Sequence, residues 1–279
     1  MTPANAPALA SLCQRLDGIP LALELSAARI RSLSVEEINA RLDNRFRLLT
    51  GGSRAALPRQ QTLRALIDWS YDLLNPQEKT LFHRLSVFAG GWTLEAAEQI
   101  CSGGEIEDWE TLDLLTSLVE KSLAVAETEQ GETRYRLLET LRQYGQDRLL
   151  ESGEAAALRR RHLEYFLALA LEAEPKLAGE EQARWLQRLE TEHENLRAAL
   201  EQSLKEQEET SEATALRFCG ALQRFWWTRG HLSEGQEWSA RALGHGDTHQ
   251  RTQERANTLN GAGVLARMQG DYASAQTYH

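Results

Sequence analysis

Apolar residues recur along most of this chain at the three-to-four spacing of amphipathic helices, and the places where that spacing fails mark its organisation. The stretch RLDGIPLALELSAARI, residues 15–30, sets a Gly-x-Pro turn before a helix that is apolar on nearly every side. Pro20 suits the first helical position, because its φ is already helical and the N–H it lacks would have had no partner there. Only Glu24, Ser26 and Arg29 give polar relief, so the helix needs neighbours on more than one side, and part of that cover is expected from outside this chain. A second helix starts at Ser34, where SVEEINARL offers a capping box through Glu37.

Gly51, Gly52, Ser53 and Pro58 then break the period and read as a connector. Beyond it, Leu63, Leu66, Ile67, Ser70 and Leu74 share one stripe, and Asn75, Pro76 and Glu78 supply a cap, a first helical residue and a box closure. Helices are expected over TLEAAEQIC and WETLDLLTSLVEKSL. The period then changes to alternation: SLAVAE and TRYRLLE flank a turn at Gly131. Helices followed by a β-hairpin are the order of a winged helix-turn-helix, closed here by ETLRQYGQDRLLESG, which stops at Gly153. Everything later is helical. EAAALRRRHLEYFLALALEAE and EEQARWLQRLETEHENLRAALEQSL read as two long amphipathic segments. The stretches CGALQRFWWTRGHLSEG and LNGAGVLARMQGDYASA align around Gly230 and Gly270, as tetratricopeptide-like hairpins would. The expected fold is therefore mainly α: a helical lid subdomain over 1–57, a winged helix over 58–152 and a truncated helical-hairpin array over 153–279.

Charge alters this picture in one place. Residues 1–59 carry eight basic and five acidic side chains, but residues 60–150 carry eight basic and sixteen acidic. In a helix-turn-helix the second helix enters the major groove and must present donors or cations there. The candidate here is led by Glu105, Glu107, Asp108, Glu110 and Asp113, which phosphates would repel. DNA binding is not expected, and partner docking or autoinhibition is the preferred reading of this domain.

Catalytic chemistry is absent from the sequence. A P-loop needs Gly-Lys-Ser/Thr, and none of the four lysines, Lys79, Lys121, Lys176 and Lys205, follows a glycine. No His-Glu-x-x-His or Gly-x-Ser-x-Gly occurs, so the chain is not expected to be an enzyme. The helical histidines His83, His162 and His193 read as solvated or core-edge residues. His245, Asp247 and His249 could hold a metal, but a polar loop is the preferred reading, and no metal site is assigned. Cys13, Cys101 and Cys219 lie too far apart for a Cys-x-x-Cys site and are expected as buried free thiols. No apolar run reaches membrane-span length, and no signal peptide is visible at the N-terminus, so a cytoplasmic protein without membrane contact is expected.

With the order of elements in place, the stretch from Leu16 to Ala97 followed by RYRLLETLRQYG resembles the bacterial signal-transduction ATPases of the NB-ARC or STAND type, found in LuxR-like and AfsR-like regulators. In that family a P-loop domain precedes a small helical domain, a winged helix and a helical-repeat sensor. The resemblance implies that this chain holds the last three and lacks the first. It also implies that Gly18 and Pro20 match the Gly-x-Pro motif whose proline contacts adenine, although an ordinary helix-starting turn would have the same sequence. ADP or ATP would then bind only with the P-loop domain present, and residues 20–30 would face that domain or a partner protein. The repeats would receive a protein or small-molecule signal. Some relatives carry a phosphate-reading histidine in a Met-His-Asp motif; the matching residues here are Leu137, Leu138 and Glu139, and Leu138 cannot donate to phosphate. Arg136 or Arg142 could substitute. The implied role is a non-catalytic regulatory and interaction portion, with the winged helix as interdomain wedge. The alternative is a stand-alone winged-helix DNA-binding regulator with a helical effector domain.

Overall fold

A computed structural model describes residues 6–16, 19–30, 32–41, 58–129, 131–205, 209–245 and 251–279. Gly18, the connector glycines Gly51 and Gly52, and residues 246–250 of the polar loop lie outside the described residues. The chain divides into two compact units, 1–86 with 93–152 and 87–92 with 153–279.

The first unit opens with α1 (Ala6–Arg15), α2 (Pro20–Arg29) and α3 (35–41). Ser34 and Glu37 make the expected capping box, with reciprocal bonds of 2.8 and 3.2 Å. Asn39 ties α3 to α1 by donating to the Ala8 carbonyl at 2.8 Å. The helix α2 buries Ala22, Leu25, Ser26 and Arg29 against α4 (Pro58–Asp72). Arg29, expected as polar relief, is instead a buried strut: its guanidinium donates to the Ser70 carbonyl at 3.2 Å, and burial lowers its pKa against the pull of Glu78. The open side of α2 carries Pro20, Glu24 and Ala27, with Ile30 exposed just beyond it.

The winged helix follows as α5 (Pro76–Leu85), β1 (Trp92–Thr93), α6 (Leu94–Cys101), a 3₁₀ turn (Asp108–Glu110), α7 (Thr111–Glu120), β2 (Val125–Glu129), β3 (Glu132–Arg136) and α8 (Glu139–Ser152). Asn75 and Glu78 form the capping box that starts α5. Glu78 is almost sealed from solvent, which alone would raise its pKa, but bonds from Lys121, from Ser117 at 2.6 Å and from the Asn75 N–H at 2.9 Å hold it below its usual value. That cluster clamps α7 onto α5. Arg84, equally buried, donates to the Cys101 and Gly103 carbonyls at 2.9 and 2.7 Å, satisfying acceptors that the end of α6 leaves open. The hairpin pairs Val125 with Arg136 through Glu129 with Glu132, and Gly131 takes the left-handed conformation its turn needs. A third strand, β1, joins in the order β1-β3-β2, an addition the two-residue segment was too short to announce.

The second unit holds α9 (Ala155–Lys176), α10 (Gln182–Thr191), α11 (His193–Lys205), α12 (Glu209–Arg229), α13 (Leu232–Leu243), α14 (Gln253–Met268) and α15 (Tyr272–Tyr278). The second long segment is two helices, because the chain turns at Glu192 before α11. Gly230 and Gly270, both at φ 81°, end α12 and α14 and turn the chain into α13 and α15, so the two hairpins superpose in sequence at those glycines. Phe166, Phe218, Phe225 and Trp226 fill the core. Phe88 stacks on Trp92 at 5.0 Å and meets Phe166 edge-on.

Two further side chains, beyond Arg29, depart from expectation. Cys13 is exposed, because it lies on the outer face of α1, whereas Cys101 and Cys219 are buried as expected. His162 is a core residue at 2% exposure against Phe88 and Phe166, and burial drives its pKa down to about 4.

Candidate functional site

The helix in the recognition position is α7. Its start is organised by acidic groups: the Glu110 carboxylate accepts the Glu107 N–H at 2.9 Å, and Gln77 reaches the Glu105 carbonyl at 3.0 Å. Carboxylates at a helix N-terminus complement its partial positive charge. Leu114, Leu115 and Leu118 face inward and fix which side looks out. That outward side presents Trp109 at 74% and Leu112 at 44% exposure, with Glu105, Glu107, Asp108, Asp113 and Glu120 around them. The one cation between Glu105 and Lys121 is Lys121 itself, and it is spent on Glu78. The wing adds no surplus of positive charge, since Arg136 is paired with Glu127 at 2.8 Å and Glu129 and Glu132 lie at the hairpin turn. An acidic surface with an exposed indole is chemically unsuited to a phosphate backbone, whose binding depends on cations displacing counterions.

The positions implied by the family resemblance fall in two places. Pro20 stands exposed at the first residue of α2, after Ile19 in extended conformation, so its ring is available to a flat apolar ligand. Arg136, Leu138 and Arg142 gather at the junction of β3 and α8. Leu138 is half-buried and has no donor. Arg142 forms a two-pronged pair with Glu139, 2.8 Å on each side, which also lowers the Glu139 pKa. Both arginines therefore turn to neighbouring carboxylates. Leu138 and the two carboxylate-paired arginines do not fit phosphate reading.

In the second unit a groove of about 540 Å³ opens between helices α9, α12 and α14. Pro175, Ala221, Trp227, Val264 and Leu265 give it apolar walls, while Glu174, Gln223, Arg224 and Asn260 supply polar groups. Gly261 leaves room for the Gln223 amide, which donates to the Asn257 carbonyl at 2.6 Å; a Cβ there would stand 1.7 Å from that amide and push the flexible side chain aside. A concave, mostly apolar surface with a few placed polar groups has the character of a small-molecule or peptide site.

Sequence reading missed one cluster. Glu190, His193 and His231, from α10, α11 and the turn before α13, bring their ligating atoms within 4.8 Å of one another. They are spread over some forty residues, so no local motif signals them.

Residues 74–150 match a family model described as a winged helix-turn-helix domain. A Mycobacterium tuberculosis H37Rv protein named "Putative HTH-type transcriptional regulator" is 49% identical over 234 residues, covering 84% of this chain and 26% of that protein. An "Uncharacterized protein" of the same strain is 45% identical over 159 residues, covering 57% of this chain and 40% of its own length. The chain thus spans about a quarter of the length of the first of these curated relatives. Among solved structures, a signal transduction ATPase with numerous domains and a tetratricopeptide repeat sensor from Pyrococcus horikoshii aligns with 93% of this chain and 52% of its own, at a TM-score of 0.34 and 14% identity. No helix among the described residues is long and apolar enough to cross a membrane.

Proposed function

We propose that residues 1–279 act as the non-catalytic regulatory and protein-binding portion of a transcriptional regulator of the STAND, NB-ARC-like type. In this reading the winged helix is a docking wedge and the helical hairpins are the sensor. The single observation that carries it is the outward face of the 3₁₀ turn and the start of α7, where Trp109 and Leu112 sit among carboxylates and the nearby lysine is paired with Glu78. The winged-helix match and the name of a relative with 49% identity support a place in transcription control. The groove beside Trp227 supports a ligand or peptide signal. ATP or ADP would be held mainly by a P-loop domain, with Pro20 supplying an adenine contact and with no hydrolysis by this chain alone. Residues 20–30 would face that domain, and the protein would work in the cytoplasm.

A second reading, direct DNA recognition, is favoured by the same winged-helix match. Fluorescence anisotropy on the full chain with random and promoter duplexes separates the two. At about 50 mM salt, where attraction to phosphate is strongest, micromolar protein should leave the signal unchanged. Binding that weakens steeply as salt rises would establish the DNA-reading alternative instead.

A further inference from the structure

The histidines of the second unit suggest a site of a different kind. His231 Nε2 lies 3.2 Å from the Glu190 carboxylate, and His193 Nε2 lies 2.9 Å from that of Glu234. The imidazole centroids are 4.4 Å apart, and the buried Phe225 ring closes one side of both, edge-on to His193 and tilted against His231. Glu234 is itself fixed by Arg197, at 2.8 Å to Nε and through a second short contact to Nη2, and these bonds with the one from His193 overcome burial and hold its carboxyl well below the usual range.

We propose that Glu190, His193 and His231 bind a single divalent transition-metal ion of the zinc class. Two imidazoles and one carboxylate are a donor set that suits Zn²⁺, Co²⁺ or Ni²⁺ better than the hard ions Mg²⁺ or Ca²⁺. Adjacent ligands on a tetrahedral zinc ion stand about 3.3 Å apart, given metal–ligand lengths near 2.0–2.1 Å. The His231–Glu190 pair is already at that separation, and the third donor lies within the 4.8 Å spread of the group. The ion takes the place of the hydrogen bond between His231 and Glu190, and because an imidazole ligates only through an unprotonated nitrogen, affinity falls as pH is lowered. Glu234 acts beyond the ligands as a positioning residue: it holds the His193 ring while Arg197 balances its charge, the kind of outer support that ligating histidines ordinarily have. Arg229, whose Nε is 3.7 Å from Glu190, is one-third exposed and also donates through Nη2 to the Gln187 amide at 3.1 Å. Bound metal would lock α10, α11 and the turn into α13 together, without any dependence on the wedge or DNA-reading roles.

The test uses the full chain, stripped with chelator and titrated with zinc chloride alone by calorimetry, beside melting curves. One ion per chain at micromolar affinity or tighter is expected, with a raised melting temperature. Glu190→Gln and His231→Gln should each weaken binding by about tenfold or more. Glu190 is only half-buried, so its variant should melt like the parent when metal-free and keeps the test valid if His231→Gln unfolds. Cobalt(II) should give a visible d–d band that both variants lose. Absence of uptake, or uptake undiminished in Glu190→Gln, would overturn the site.

Discussion

Asn195 on α11 accepts the backbone N–H of Ala89 at 2.9 Å, across 106 residues of sequence and within the second unit. The same amide accepts from Gly90 at 3.3 Å and donates to the Gly91 carbonyl and to Glu192, each at 2.8 Å. All of its hydrogen-bonding capacity is used while it is 1% exposed. Residues 87–92, which continue α5 and lead into β1, are thereby sewn into the helical array.

Replacing Asn195 by Ala removes the acceptor of two half-buried N–H groups, those of Ala89 and Gly90. Each orphaned group costs about 1–3 kcal/mol, so a loss of about 2–5 kcal/mol is expected in urea unfolding. Hydrogen exchange should speed up at the Ala89 and Gly90 amides ahead of the rest of the unit. An unchanged midpoint with unchanged exchange would show that the amide is incidental.

His162 makes stability depend on pH in a defined direction. Its folded pKa is about 4 because burial disfavours the imidazolium, against an ordinary value of 6.5. Between those values the unfolded chain takes up a proton that the folded chain refuses, so stability is complete above about pH 6.5 and falls as pH is lowered towards 4. The full drop is on the order of 3 kcal/mol. His162→Phe, which keeps an aromatic ring beside Phe88 and Phe166, should flatten that part of the curve. A slope identical to the parent's would assign it to other groups.

Gly145 lies inside α8, where alanine ordinarily stabilises a helix by about 1 kcal/mol. Here the sign reverses. A Cβ would stand 2.9 Å from the Ser86 Cβ and 3.4 Å from the Phe82 carbonyl, so α8 could no longer close on α5. Gly145→Ala should cost about 1–3 kcal/mol, and Ser86→Gly in the same chain should recover part of it. A Gly145→Ala chain as stable as the parent would mean that the two helices separate without penalty.

The apolar helix α2 has two sides that substitution can tell apart. Leu25 is fully buried within this chain, whereas Ile30, at the helix end, is 48% exposed. Leu25→Glu should collapse the melt by placing a charge in a core, and Ile30→Glu should leave the melt within about 0.5 kcal/mol while reducing any self-association seen by ultracentrifugation. A melt unaffected by Leu25→Glu would contradict the packing of α2 on α4.

Local chemistry was legible in the sequence wherever cause and effect lie within one turn of chain. The boxes at Ser34 and Asn75, the inner stripe of α4, the hairpin at Gly131 and the helix stops at Gly153, Gly230 and Gly270 depend on neighbours three or four residues away. Their residue types therefore announce them. The acidic lead into α7 could also be read directly, because charge is additive along a surface helix. What tertiary structure alone decided concerns partners far apart in sequence. Arg29 had the composition of a solvated residue until Ser70 covered it. His162 read as solvated or core-edge until Phe88 and Phe166 enclosed it, and Cys13 looked like a core thiol until α1 turned it outward. Nothing at Asn195 foretold Ala89, and nothing at His193 foretold His231. Such pairings are set by how helices stack, which depends on the summed shape and burial of whole faces rather than on any residue's own propensity.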